Sequence, residues 1–519
     1  MPWPDSDGSL PTEMNEIAES RLSAPAPRQR LPRLSWPVII GLLGFALPLL
    51  NPLALLRDPD TYLHIAVGRW IIEHGALPFQ DPFSNSMPGA AWVPHEWLAE
   101  TVLAALYGAG GWGALILVTN ACFGLSLGLF ARRLLAHCEP FTLLIMVTLT
   151  GWMAYSHLLV RPHVLTFPLL VAWSGALIDA RDAGRAPSLW LLPLMVLWAN
   201  LHGGFMFGLA LAAYLGAEAV FCAGDAAARR QALRHWGAFL ILAGLAGLAT
   251  PNGVAGFLQP FRLLDMPTLH AVFGEWRPSN LRDDRLLAVW VLGAPALAFG
   301  LGLRVPATRL VLLLGLFYEA FQSSRHTDLL CWVGPLAVAA ALGPQLAARI
   351  RTEPPSGLAR WLAQRAQPGN RLGIALAILL AFAVGFATIW LRPAPSDRGP
   401  APVAAVAAAR AMHLAGSVLN EEGFGGYLIF AGIPPFIDGR IEMYGDAFLA
   451  RWVDASIGRR AVLTALLEQY HIAWTLFPPD SGAVEILDLL PGWRRVYSDR
   501  DAVIHVRVEP GSAVPIPAE

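Results

Sequence analysis

Apolar stretches close to the length of a bilayer crossing recur along the 519-residue chain. A helix needs about 20 apolar residues to cross a membrane, so each stretch predicts a spanning helix. We predict eleven spans, at residues 36–56, 110–131, 140–160, 162–180, 187–201, 203–222, 236–250, 286–303, 308–323, 328–348 and 372–391. The pattern therefore predicts a mainly α fold, with a polytopic transmembrane helix bundle over residues 34–392.

A different pattern begins at about residue 393, where closely spaced prolines indicate a linker. Three helical stretches and four strand-like stretches follow, and strands that alternate with helices are typical of a small α/β domain. The helical stretches are 403–414, 445–455 and 460–471, and the strand-like ones are 417–419, 472–477, 495–497 and 502–508. We assign this α/β domain to residues 393–510. Residues 1–33 are expected to form a disordered polar tail and residues 511–519 a short tail.

Composition supports a membrane protein, because 55% of the residues are hydrophobic and only 14% are charged. The net charge of −1 gives no reason to expect a nucleic-acid partner. Every basic residue is arginine, which excludes Schiff-base chemistry and a P-loop lysine. The four cysteines all lie in or beside apolar stretches, so the C-terminal domain cannot have a disulfide framework.

The placement of arginines predicts an orientation. If the N-terminus is cytoplasmic, the inner segments hold more than twice as many arginines as the opposite loops, as the positive-inside rule requires. An odd number of spans then places the C-terminal domain outside the cytoplasm, and residues 57–109 become the first outer loop. We expect a multi-pass protein of the bacterial cytoplasmic (inner) membrane, in contact with membrane lipids.

With this topology, the polar residues suited to chemistry fall in the outer loops, whereas the cytoplasmic loops hold arginine, alanine, glycine and little else. A purely structural bundle has no reason to sort its residues in this way. The candidates are Asp58, Asp60, His64, Arg161, His163, His202, Arg277, Arg325 and His326, with Glu319 inside the preceding span.

Several candidates also have purely structural interpretations. Asp60 could be the N-cap of a helix and Asp58 a turn residue. Asp60 and His64 are four residues apart on one helix face, which suits a hydrogen bond or half of a metal site. Glu319 in a span needs a partner, and Arg325 and His326 lie about two turns further along. The stretch Asp438-Gly439-Arg440 is interpreted as a turn.

Taken together, an acidic first outer loop, many spans and an extracytoplasmic α/β domain resemble the GT-C superfamily of membrane glycosyltransferases. The spacing of Asp60, His64 and Arg69 is similar to that family's first loop, and Gly425-Gly426-Tyr427 and Ile437-Asp438-Gly439-Arg440 are similar to stretches of uncharacterised bacterial members. The tandem Asp-Glu common in the family's loop is Asp58-Pro59-Asp60 here, which leaves open which aspartate takes its role.

The resemblance implies an inverting glycosyltransferase that moves a sugar from a polyprenyl-phosphate-linked donor to an extracytoplasmic acceptor. It implies that Asp58 or Asp60 is the base and that arginine binds the lipid phosphate, with Arg325 first, then Arg161 and Arg277. His64, His163, His202, His326 and Glu319 complete the expected substrate-binding set. A divalent cation, Mg²⁺ or Mn²⁺, on Asp58, Asp60 and His64 is left open as the one expected cofactor.

Two other functions compete with this hypothesis. Glu319 and residues 200–204 could line the pathway of a transporter or a lipid flippase. We find no internal repeat in the sequence and no polar residues sorted to the cytoplasmic mouth, and both observations favour the enzyme. The third possibility is a scaffold with a GT-C-like fold and no activity.

Overall fold

The computed structural model describes residues 34–282, 284–350, 357–390 and 401–508. The two predicted tails and the proline-rich linker before residue 401 lie outside these ranges. Sixteen α-helices precede the C-terminal domain in the described ranges: α1 (Trp36–Ala46), α2 (Asp60–His74), α3 (Trp97–Leu134), α4 (Pro140–Tyr155), α5 (Pro162–Asp182), α6 (Leu192–Leu201), α7 (Phe205–Phe221), α8 (Ala226–Gly247), α9 (Gly253–Leu264), α10 (Pro267–Val272), α11 (Arg285–Ala288), α12 (Ala294–Gly300), α13 (Ala307–Gln322), α14 (Thr327–Ile350), α15 (Gly357–Gln364) and α16 (Arg371–Trp390).

Four of the described helical segments are long and apolar enough to cross a membrane: Trp97–Leu134, Pro162–Asp182, Ser324–Arg349 and Arg371–Thr388. Five shorter apolar segments of 10–17 residues accompany them: Trp36–Leu50, Pro140–Tyr155, Leu189–Leu201, Phe205–Phe221 and Arg285–Gly300. The chain is therefore mainly α with apolar helices, but the predicted count of eleven spans is not confirmed.

Two of the predicted spans are interrupted for local reasons. In the first, α1 ends at Ala46, and two short 3₁₀-helices follow, each with a proline at one of its first two positions. Proline has no backbone N–H and cannot extend an α-helical ladder. In the predicted span at 286–303, a π-helical turn over Val289–Gly293 separates α11 from α12.

Helix α3 changes direction at Gly110 and Gly111. Gly111 has a φ of 57°, in the left-handed region that side chains disfavour. The part of α3 before this break belongs to the predicted first outer loop, and the longer part after it runs into the bundle. From Trp112 to Ala131 the helix is about 30 Å long, which matches the hydrocarbon thickness of a bilayer.

Close packing of α1 on α3 depends on glycine. A Cβ added at Gly124 would lie 2.5 Å from the carbonyl oxygen of Gly41, and one added at Gly41 would lie 3.0 Å from that of Gly124. Small residues at such crossings let two apolar helices approach closely without a hydrophobic driving force. Large side chains fill the rest of the bundle core, including fully buried Trp173, Trp198 and Trp332.

The predicted outer loops meet at one end of the bundle, which we call the first-loop end. Trp97 Nε1 donates to Asn200 Oδ1 at 3.0 Å, and Asn252 Nδ2 donates to the carbonyl of Pro94 at 2.9 Å. The hydroxyl of Ser323 donates to the carbonyl of Glu275 at 2.8 Å. These contacts join loops far apart in sequence, so the residues grouped by the arginine rule do lie together.

The opposite end, the far end, is more polar than the sequence predicts. Arg309 is buried there and pairs with Asp182, and its Nε lies 3.2 Å from Glu218 Oε1. Arg181 Nε is 3.6 Å from Glu218 Oε2. We call these four residues the far-end cluster. The sequence expectation of little besides arginine, alanine and glycine concerns the loops at this end, whereas the acidic partners Asp182 and Glu218 lie within helices α5 and α7.

The C-terminal domain has a four-stranded sheet in the order β1-β2-β4-β3. Strand β1 runs parallel to β2, and the other two pairs are antiparallel. Each predicted strand stretch is a strand: the one at 472–477 has the predicted bounds, and the other three have bounds shifted by one to two residues. The elements are α17 (Val403–Ala411), β1 (Ser417–Asn420), α18 (Glu422–Phe430), α19 (Ile441–Tyr444), α20 (Asp446–Ser456), α21 (Arg460–Gln469), β2 (Ile472–Phe477), α22 (Gly482–Leu489), β3 (Trp493–Ser498) and β4 (Val503–Arg507).

Candidate functional site: a charge cluster at the first-loop end

Arg161 lies at the centre of the polar groups at the first-loop end. Its backbone is extended because Pro162, the first residue of α5, disfavours a helical conformation at the preceding position. Its Nε lies 2.8 Å from Asp58 Oδ2, one terminal nitrogen binds Asp60 Oδ2, and the other lies 2.6 Å from Glu275 Oε2. A single guanidinium therefore orients three carboxylates from two segments of the chain, residues 58–60 and the segment of Glu275. With Arg325, these four residues form what we call the first-loop cluster.

The two aspartates differ in how their oxygens are used. Asp58 Oδ1 accepts a hydrogen bond of 2.8 Å from the backbone N–H of Asp60, so Asp58 acts as a turn residue as well as an Arg161 ligand. Asp60 is the first residue of α2 and does not cap it, since Pro59 is the N-cap. Asp58 is buried and Asp60 is partly exposed. Among the described residues, Asp60 Oδ1 has no hydrogen-bond partner, and it lies beside Gly439 of the C-terminal domain.

Arg325 forms the second branch of the first-loop cluster. It lies 5.1 Å from the Trp276 ring, with one terminal nitrogen 3.6 Å from Glu275 Oε1 and the other 3.3 Å from His202 Nε2. These contacts are longer than those of Arg161. Arg325 is therefore the arginine of the pair that can more easily exchange its partners for an incoming anion.

His64 pairs with carboxylates other than those of the two aspartates. Its Nδ1 lies 3.5 Å from Glu100 Oε1 and 4.0 Å from Glu96 Oε2, while Glu96 Oε1 lies 3.5 Å from His202 Nε2. Asp58, Asp60 and His64 therefore do not converge on a common point, and Arg161 already occupies the position between the aspartates. Within the described ranges, no group of three or more His, Cys, Asp or Glu residues is placed to hold a metal ion. The divalent cation considered from the sequence does not fit these residues.

The remaining candidates are only partly brought together. His163 donates to the carbonyl of His157 at 3.1 Å, and its ring lies 6.2 Å from that of His202. Glu319 pairs with His326 at 3.0 Å, as expected for one of its two suggested partners, whereas Arg325 turns to Glu275. Arg277 donates to the carbonyl of Ala271 and is not part of the first-loop cluster.

The environment shifts the pKa values of the acids in opposite directions. Burial raises the pKa of Asp58 to about 6, although Arg161 opposes this shift, and the charge of Asp60 adds to it. Glu275 is also partly desolvated, but Arg325 and Arg161 together lower its pKa to about 2. At neutral pH this arrangement keeps Glu275 ionised and leaves Asp58 close to its titration point.

The pKa of Asp58 gives a direct prediction. Its carboxyl is expected to be protonated at about pH 5 and ionised at about pH 7, so an acid carbonyl band should disappear between these two conditions in difference infrared spectra. Asp58→Asn should remove that change. Glu275→Gln is the matched control, because it should keep the change but move it to lower pH by removing a neighbouring negative charge. A wild-type spectrum in Asp58→Asn would contradict the assignment.

The C-terminal domain forms one wall of the site. A Cβ added at Gly439 would lie 2.5 Å from Asp60 Oδ1, and one added at Gly426 would lie 3.1 Å from Leu63 and from the carbonyl of Pro59. These glycines let the domain contact the start of α2. Glu422, at the start of α18, belongs to the same wall, where burial and the charge of Asp60 hold its pKa well above the usual range.

A buried ionic network joins the domain to the first loop. Asp438 binds Arg440 through both oxygens at 2.6–2.7 Å and accepts from the Tyr444 hydroxyl at 2.7 Å. The other terminal nitrogen of Arg440 lies 2.6 Å from Asp81 Oδ1. We call Asp81, Asp438, Arg440 and Tyr444 the domain lock. The turn predicted at Asp438-Gly439-Arg440 is therefore also a contact that positions the domain against Asp60.

Some residues of the site are not among the sequence candidates. Glu275 and Glu96 lie in the predicted outer loops, but nothing in a single sequence distinguishes them from solvated surface acids. Asp81 and Glu422 become part of the site only through contacts between the first loop and a domain more than 300 residues later in the chain. A rule that includes every acid of the outer loops would have included Glu275 and Glu96.

Comparisons with known proteins give a likeness to solved structures that is distant in sequence. No protein-family model matches the chain, and no curated protein matches it. Among solved structures, the chain is similar to the oligosaccharyltransferase of Archaeoglobus fulgidus in the apo form, with 12% sequence identity and a TM-score of 0.49. The match covers 85% of this chain and 69% of that chain. This likeness is too distant to assign a function, so any functional inference depends on the geometry of the first-loop cluster.

Proposed function

We propose that the chain is a membrane glycosyltransferase that moves a sugar from a polyprenyl-phosphate-linked donor to an acceptor on the extracytoplasmic side. The observation that supports this most is the arrangement of the first-loop cluster. Two aspartates share Arg161, and Glu275 connects Arg161 to a second arginine, Arg325. Such a site offers a carboxylate for an acceptor hydroxyl and a guanidinium for a phosphate, side by side. A bacterial inner membrane, with the first-loop end outside, is part of the proposal.

Asp60 is the proposed base. One of its oxygens is held by Arg161 and the other has no partner among the described residues, so it can accept the proton of an acceptor hydroxyl. Asp58 uses both oxygens within the protein, on Arg161 and on the N–H of Asp60. Its proposed role is to position Arg161 and the start of α2. This assignment separates two aspartates that the sequence leaves equivalent.

Arg325 is the proposed phosphate ligand. As the acceptor oxygen bonds to the anomeric carbon, the bond from that carbon to the phosphate oxygen breaks, and its electron pair stays on the phosphate. The leaving group gains negative charge, and a guanidinium stabilises this charge with paired N–H donors. The neighbouring His202 is neutral and does not repel Arg325, because burial and the positive charge of Arg325 lower the pKa of His202 well below the usual range. One displacement of this kind inverts the anomeric centre.

Transport receives less support from the same structure. Helices α5, α7 and α13 are joined at the far end by Arg309, which is buried and pairs with buried Glu218 and with exposed Asp182. Opening a path there would leave buried charges without partners, which costs several kcal/mol. An inactive scaffold would not need Asp58 and Asp60 paired with Arg161. It would also not need Arg325 nearby with longer contacts that a ligand can replace.

The experiment is transfer from a panel of polyprenyl-phosphate-linked labelled sugars, with membranes of a deletion strain as the source of acceptor. Asp60→Asn is expected to lower the rate by about 10²–10⁴-fold, the usual contribution of a general base. Asp58→Asn is expected to lose less, because its role is to position Arg161.

Asp179→Asn is the matched control. Asp179 also pairs with an arginine, Arg133, but at the far end and partly exposed, so the change should leave transfer unaffected. Wild-type transfer in Asp60→Asn would overturn the proposed mechanism.

A further inference from the structure

Arg69 lies in an aromatic setting that the proposed chemistry does not use. Its guanidinium carbon lies 5.0 Å from the centre of the Tyr107 ring and 4.6 Å from that of Phe430. We call these three residues the Arg69 stack. Among the described residues, no carboxylate pairs with Arg69 and no hydrogen bond uses its N–H groups. Rings on its faces leave the edges of the guanidinium, where all five N–H donors lie, for a ligand.

The Arg69 stack is separate from the first-loop cluster. Arg69 follows Asp60 by nine residues on α2, a rotation of about 180° from Asp60 around the helix axis. Tyr62, seven residues before Arg69, lies on the same side of α2, and its ring centre is 5.3 Å from that of Phe430 and 5.1 Å from that of Trp112. The reacting groups therefore face one way and Arg69 faces the other.

The position of the stack along α3 points to a membrane surface. Tyr107 and Trp112 flank the break at Gly110–Gly111, with ring centres 5.0 Å apart. The helix beyond this break has the length of a hydrocarbon core, so the break marks the level at which acyl chains give way to headgroups. Tyrosine and tryptophan are enriched at that level. On α2, Ile72 lies one turn beyond Arg69 and is 51% exposed, which adds an apolar surface beside the guanidinium.

We propose that the Arg69 stack binds the phosphate of an anionic phospholipid headgroup from the surrounding bilayer. The flat guanidinium donates paired hydrogen bonds to two phosphate oxygens, and Tyr107 and Phe430 hold it in place. The acyl chains of the lipid lie along the apolar surface of α3 below the break. The bound lipid would fix the level of α2 relative to the bilayer without taking part in the reaction.

The test uses the full-length protein in detergent and measures binding from ligand-dependent shifts in thermal unfolding. The probes are phosphatidylglycerol, a diacylglycerol with the same chains but no phosphate, and glycerol 3-phosphate with no chains. Wild-type protein is expected to bind phosphatidylglycerol at least about tenfold more tightly than either of the other two. Arg69→Gln should lower that affinity about tenfold, and Arg69→Lys, which keeps the charge without the flat fork, should lower it several-fold.

Arg365→Gln is the matched control, because Arg365 also lies over an aromatic ring, 4.3 Å from the centre of Trp361, but away from the break in α3. It should bind phosphatidylglycerol as the wild type does. If Arg69→Gln fails to fold, Arg69→Lys and Phe430→Leu provide the same comparison. Wild-type affinity in the folded Arg69 variants would overturn the proposal. Equal binding of diacylglycerol, or equally tight binding of glycerol 3-phosphate, would also overturn it.

Discussion

Arg161→Gln is expected to abolish measurable transfer and to lower the stability of the protein more than any other single change in the first-loop cluster. Asp58, Asp60 and Glu275 would lose their common counter-ion in a site where Arg161 is only 13% exposed. Removing one partner of a buried ionic group costs about 3–5 kcal/mol, because the remaining charges stay desolvated. The pKa of Asp58, already about 6, would rise further, since the largest influence that opposes its rise would be gone.

Three measurements separate the causes of this effect. Transfer should fall at least about a hundredfold, as expected when reacting groups are misplaced. The free energy of unfolding should fall by several kcal/mol, and less at acidic pH, where the carboxylates take up protons. Arg161→Lys should recover part of the stability but little of the transfer, because one ammonium cannot reproduce three directed contacts.

The matched control for Arg161→Gln is Arg133→Gln. Arg133 also binds a carboxylate, that of Asp179, but the pair is partly exposed at the far end, where such pairs contribute about 0–1 kcal/mol. Unchanged transfer in Arg161→Gln would show that the three acids do not need a common partner and would contradict the proposed site.

Arg440→Met is expected to release the C-terminal domain from the first loop. Arg440 is 3% exposed and Asp438 is fully buried, and both Asp438 and Asp81 would lose their partner. The expected loss is about 3–5 kcal/mol of docking free energy. Hydrogen exchange should accelerate in the segment around Asn85, whose backbone N–H donates to the carbonyl of Pro435, and far less in the core of the bundle.

A triple variant tests whether the domain lock itself is responsible. Asp81→Asn and Asp438→Asn combined with Arg440→Met remove the stranded charges, so part of the lost stability should return. Arg495→Met is the control, since Arg495 pairs with Asp488 on the exposed side of the same domain. Exchange rates in Arg440→Met equal to those of the wild type would show that the domain is held by other contacts.

The parts of the fold that the sequence predicts are those governed by local patterns. The strand over residues 472–477 appears with its predicted bounds, and the alternating strand near residue 503 appears within a residue of its predicted bounds, because each is marked by a pattern of only a few residues. The ends of helices are less visible. The first predicted span stops early at a pair of proline-containing turns, and α3 begins 13 residues before its predicted span and bends at Gly110–Gly111.

The candidate site was predictable as a region but not as a set of pairs. The grouping of outer loops brought Asp58, Asp60, Arg161, His202 and Arg325 into one list, and the structure places them at one end. Sequence spacing also suggested that Asp60 and His64 act together, yet their side chains bind different partners, Arg161 and Glu100. Ion pairs between residues far apart in the sequence depend on which loops meet in the folded chain. The spacing of residues within one segment carries no information about that.

The far-end cluster limits how the first-loop end can open. Helix α5 has Arg161 just before its first residue and Asp182 as its last, about 30 Å apart, and α13 similarly has Arg309 at one end and Arg325 just beyond the other. Both helices are therefore held in place at the far end by the ion pairs of buried Arg309. Entry of a substrate at the first-loop end therefore requires local movement of the short 3₁₀ segments around Glu275 and Arg325, on the timescale of loop motions. It does not require one half of the bundle to rock against the other.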